Sequence, residues 1–142
     1  MYNQLVTRRF RLLPHAADTG LVARGRDLPE ALANAAFGLF SIMTDLRRVR
    51  PIETRTVEIR EKDSESLLFE WLNNFIYLFD AQAMLFRRFE VTDFAPPRLT
   101  ARCTGERFDP SRHRIKIGVK SATYHMLRVD TENHLVQVIF DV

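Results

Sequence analysis

An α+β fold, with two long helices packed on one face of a largely antiparallel sheet in two layers, is predicted by three observations. Two segments carry apolar residues at helical spacing, seven shorter ones read as strands, and the order runs strands, helix, strand, second helix, then strands again. Residues 9–13 alternate, with Phe10 and Leu12 on one face and Arg9, Arg11 and Leu13 on the other, and Pro14 ends the strand. A second short strand spans 19–24, where Gly20 permits a close backbone approach or a bulge, and Gly25 marks the turn after it.

The first helix opens at Asp27, an N-cap carboxylate followed by Pro29 in the first turn and Glu30 three residues after the cap. Leu28, Leu32, Ala35, Ala36, Leu39, Phe40 and Met43 then form one apolar stripe. Between 49 and 60 the period drops to two, as in a strand with one wet face. The second helix, capped by Asp63 or Ser64, carries Leu67, Leu68, Trp71, Leu72, Phe75, Leu78 and Phe79 at helical spacing. Trp71 and Phe75 are read as core anchors rather than a base-stacking platform. Strands are expected over 84–91, 98–104, 125–130 and 135–142, with Pro96-Pro97 in a loop and Glu132-Asn133 at a hairpin turn.

With 142 residues, 46% of them hydrophobic and 27% charged, the chain reads as a single domain over 1–142 with enough apolar side chains for a core. The longest uncharged stretch, 31–44, is 14 residues and falls short of a bilayer span. No apolar run follows the arginines of the N-terminus, so a cytoplasmic protein without a secretory signal or membrane partner is expected. The single cysteine, Cys103, has no partner for an intramolecular disulfide and is read as a buried thiol.

The net charge of +3 is made of 18 Arg and three Lys against 18 acids, a mixed surface rather than a strongly basic one. Two basic clusters stand out: Arg47, Arg48 and Arg50, and the segment from Arg107 to Lys116 with Arg112, His113 and Arg114. Runs of this kind ordinarily mark a solvated loop, and either can touch RNA or an acidic protein face.

Gly-rich phosphate loops, a G-x-S-x-G elbow, H-E-x-x-H and C-x-x-C are all missing from the sequence. Two places carry chemistry. In His15-Ala16-Ala17-Asp18-Thr19-Gly20, a polar pair sits among small residues between two strands, where Asp18 either presents a carboxylate or bonds backbone N–H groups of its turn. At the other end, Phe140-Asp141-Val142 finishes an apolar strand, so the Asp141 side chain and a terminal carboxylate on Val142 are adjacent anionic groups. Should Asp18 lie near them, three hard oxygen groups converge, a set suited to Ca²⁺ or Mg²⁺ rather than Zn²⁺.

The His15 to Gly20 motif, Met43-Thr44-Asp45, Leu67-Leu68 with Trp71-Leu72-Asn73, Gly105-Glu106, the stretch from Val119 to His125 and the closing Asp141-Val142 occur in an order that resembles the archease family over nearly the whole chain. That resemblance implies an accessory protein, not an enzyme. It would activate a guanylylating tRNA-splicing RNA ligase, promoting guanylylation and multiple turnover, with RNA met through the ligase. It also implies a divalent cation, Ca²⁺, held by Asp18, Asp141 and Val142, and places Lys120 and His15 at the partner-binding surface. Ala16, Thr19 and Ser121 depart from the family's usual Thr, β-branched apolar residue and Ala.

Overall fold

The structure, a computed structural model, describes residues 9–13 and 19–142. The elements run β1 (Phe10–Leu13), β2 (Thr19–Arg24), α1 (Leu28–Met43), a 3₁₀ turn (Leu46–Arg48), β3 (Glu53–Arg60), α2 (Ser64–Gln82), β4 (Met84–Ala95), β5 (Arg98–Arg107), β6 (Ser121–Asp130) and β7 (Leu135–Asp141). The α+β class is as expected, and every strand pair is antiparallel. The strands, however, are divided between two sheets, one ordered β1-β2-β7-β6 and the other β3-β5-β4. The helices join them: α1 packs on β2 and β4, one strand from each sheet, while α2 packs on β6 as well as on β3 and β4.

Local chemistry fixes both helices. The Asp27 carboxylate accepts the Glu30 N–H at 2.9 Å, and Glu30 reaches back to the Arg26 N–H at 2.7 Å, so two donors at the start of α1 find partners. Asp63 caps α2 in the same way through the Ser66 N–H. Ala83, in the left-handed region at φ 57°, closes α2.

The stripes predicted for the helices meet in one core. Phe40 of α1 packs edge-on to Phe75 and Phe86, and Phe75 packs edge-on to Trp71 and Phe89. Trp71 is fully buried and donates its indole N–H to the Leu32 carbonyl at 2.8 Å, which satisfies its one polar atom and ties the helices together. Cys103 is buried as expected, and burial pushes its thiol pKa up to about 12.

Gly20 does admit close approach: a Cβ there would stand 2.8 Å from the Leu13 Cβ and 2.9 Å from the Ile139 side chain. Gly105 is tighter still, because a Cβ would fall 1.8 Å from the Leu85 carbonyl where β5 crosses β4. Only glycine lets β5 pass at that point, and the next residue is Glu106.

Candidate functional site

Strand pairing builds the first candidate site. Thr19 pairs with Phe140 and Ser121 with Asp141, so the start of β2, the start of β6 and the end of β7 meet at one end of the four-stranded sheet. The Lys120 N–H donates to the Asp141 carbonyl at 2.8 Å. Lys120, Asp141 and Val142 are all exposed there, and the Asp141 carboxylate has neither a hydrogen bond nor an ion pair among the described residues. Three of the residues singled out from sequence are therefore neighbours. The other two, His15 and Asp18, lie outside the described residues.

Two supports of this corner were not legible as such. Asn73, in the middle of α2, accepts the Ala122 N–H at 2.8 Å and donates to the Ala122 carbonyl at 3.4 Å, fixing β6 two residues after Lys120. Phe69, one turn earlier, stacks on Tyr124 with ring centroids 4.1 Å apart and planes at 13°. Beyond it β6 leaves the ladder between Thr123 and Arg128, with Met126 at φ 56°. A polar amide inside an apolar helical stripe was the available signal for Asn73.

Donor chemistry tests the cation expected here. The Asp141 carboxylate, without a partner among the described residues, is a hard oxygen donor of the kind that suits a cation taking oxygen ligands. Among the described residues no group of three His, Cys, Asp or Glu side chains is placed to hold a metal. Asp141 alone thus fits such a group only as one member of a larger set.

The second site joins the two basic clusters that the sequence holds apart. Arg48 donates its Nε–H to the Arg112 carbonyl at 2.9 Å, while Arg112 reaches back to the Arg48 carbonyl at 3.4 Å. Beneath them Glu106, 4% exposed, receives four hydrogen bonds. They come from Arg112 at 2.6 Å, His113 Nε2 at 2.8 Å, the Arg50 N–H at 2.9 Å and the Arg50 Nε–H at 3.2 Å. Burial raises the Glu106 pKa, but the bonds from Arg112, the Arg50 amide, His113 and the Arg50 side chain outweigh it and hold the group down at about 2. The Asp109 N–H donates to His113 Nδ1 at 2.8 Å, which assigns the ring proton to Nε2. The segment is a largely exposed loop, as read from the sequence, but Arg112 and His113 within it are parts of a structural network. Arg107 turns elsewhere, to the Gln82 carbonyl.

Fold and site define a class: a small α+β protein with an exposed acidic and basic corner at the end of a four-stranded antiparallel sheet, braced by a helix. The profile of the Archease protein family (MTH1598/TM1083) matches residues 10–142. A protein archease of Sulfurisphaera tokodaii is 37% identical over 136 residues, covering 95% of this chain and 98% of its own. One from Thermococcus gammatolerans is 39% identical over 127 residues, covering 87% and 89%. Among solved structures, the solution structure of Methanobacterium thermoautotrophicum protein 1598 superposes with a TM-score of 0.79 at 33% identity, over 96% of this chain and all of that one. The chain belongs to the archease family.

Proposed function

We propose that this protein is a non-catalytic activator of a guanylylating tRNA-splicing RNA ligase, promoting the ligase's guanylylation and multiple turnover in tRNA splicing or RNA repair. The observation that carries the reading is the corner where the Lys120 N–H meets the Asp141 carbonyl, with the side chains of both residues exposed. Asp141, Val142 and Asp18 would hold a divalent cation, Ca²⁺, which supplies positive charge and orients carboxylates at the docking face. Lys120 is the cation that acts on the partner, and His15 would contribute to the same partner surface. Family membership supports the pairing with an RNA ligase. Among the described residues no helix is long and apolar enough to cross a membrane.

Multiple-turnover ligation of RNA ends, with the ligase limiting, tests the proposal. Wild type should raise the number of turnovers, whereas Asp141→Ala and Asp18→Ala should not. Equal stimulation by all three proteins overturns the cation site. No stimulation by wild type overturns the activator role.

A further inference from the structure

The loop between β5 and β6 and the 3₁₀ turn after α1 enclose a cleft of about 470 Å³, and its lining includes Asp45, Arg48, Pro110, Arg112, Arg114 and Lys116. The cleft is built into the fold. Lys116 donates its N–H to the Met43 carbonyl at 2.7 Å and Thr44 donates its hydroxyl to the Arg114 carbonyl at 2.7 Å, so the end of α1 holds the loop in place. Charges in the lining fall into two groups. Asp45 is taken up by a two-pronged pair with Arg47, at 3.0 and 2.9 Å, and Arg112 by Glu106. Arg48, Arg114 and Lys116 are exposed and have no ion pair among the described residues. Three cations without an ion pair among the described residues therefore face one concavity, with Lys116 near enough to Asp45 to help hold its carboxyl low.

We infer that this cleft binds the phosphate backbone of single-stranded RNA directly, without the ligase. Guanidinium groups match phosphate oxygens in geometry and stay charged at every physiological pH. An acidic protein segment is the competing occupant, but protein interfaces draw their affinity from a buried apolar centre. Among the lining residues only Pro110 is apolar. A backbone held through its phosphates needs no such centre. Concavity favours one strand over a duplex, whose broad surface cannot enter a space of this size. Lys116 and Lys120 are four residues apart on the same loop, which bounds their Cα separation at about 14 Å. RNA lying in the cleft would thus run toward the corner at Lys120.

The test is fluorescence anisotropy with a labelled 20-nucleotide single-stranded RNA, titrated with wild type, Arg114→Ala/Lys116→Ala and a charge-matched control, Arg98→Ala/Arg102→Ala. The control pair lies on β5, already matched to Asp93 and Glu90. The variants replace exposed side chains, with Arg98 half-buried at the surface, and should fold. Wild type and control should bind alike at 50 mM salt, with the cleft variant weakened about tenfold or more. Removing two phosphate contacts should also flatten the slope of log affinity against log salt by about 1 to 1.5. No saturable binding by wild type, or equal losses in cleft variant and control, overturns the inference. Tighter binding of poly-L-glutamate than of RNA, with the same dependence on Arg114 and Lys116, assigns the cleft to an acidic protein and overturns it as well. No ligase is present, so the outcome is independent of the activator role.

Discussion

Glu106 and Asp141 are both carboxylates at a strand end, and the protein treats them in opposite ways. Glu106 is enclosed and receives four hydrogen bonds from its own chain, which leaves no lone pair for anything from outside. Asp141 stands exposed, and among the described residues nothing donates to its side chain. A carboxylate satisfied internally serves the fold, because its desolvation has already been offset by partners held in place. One left unsatisfied at the surface is available to a cation or a partner. Both stand beside basic residues, so what separates the roles is whether the neighbouring cations are committed.

The largest effect expected from breaking this contrast is on stability. Glu106→Gln removes the charge while keeping the shape and should cost about 2 kcal/mol at pH 7, leaving ligase stimulation per folded molecule unchanged. The pH dependence has a definite sign. Because the folded-state pKa of Glu106 lies near 2, below its ordinary 4.5, the charged form stabilises the protein above pH 4.5, and that contribution fades as pH falls toward 2. Melting curves of wild type and Glu106→Gln should accordingly converge between pH 4.5 and 2. A constant gap across that range would show that the charge of Glu106 is not what the network needs.

A smaller shift is expected at Asp141. Bound cation stabilises the folded state by mass action, about 1.4 kcal/mol at a concentration ten times the dissociation constant. Millimolar Ca²⁺ should therefore raise the melting temperature of wild type by a few degrees, EDTA should reverse it, and Asp141→Asn should show neither change. An equal response in the variant would remove Asp141 from the cation site and erase its contrast with Glu106.

Much of the fold was legible because local signals agreed with each other. At α1 the Asp27 cap, Pro29 and the apolar stripe all point to one start, and the helix begins at Leu28. Strand β2 likewise matches its expected limits of 19–24. Elsewhere the pattern breaks where the ladder does. A bulge between Val91 and Asp93 interrupts the alternation of β4, which runs on to Ala95 and turns at Pro96-Pro97 into β5. Strand β6 begins at Ser121 rather than near His125, because Tyr124, His125 and Met126 are exposed in succession where it bulges off β7. Division of the strands into two sheets, and the meeting of Arg48 with Arg112 across 64 residues of sequence, depend on how helices and strands stack. No local pattern encodes either.

Lys120 gives the smallest effect on stability and the cleanest division between the two kinds of site. Its structural bond runs from the backbone N–H to the Asp141 carbonyl and survives truncation of the side chain. The side chain itself is exposed and makes no ion pair among the described residues, so Lys120→Ala should change stability by no more than about 0.5 kcal/mol. Ligation with the ligase limiting should nonetheless fall toward the unstimulated rate, since in the proposed role the side chain acts on the ligase. Measured together, thermal melting and turnover number separate the outcomes. Loss of stimulation with unchanged melting places the Lys120 ammonium at the partner surface. Full stimulation by Lys120→Ala would mean that the corner works through its carboxylates alone, and that an uncommitted cation beside them is not enough to mark a functional residue.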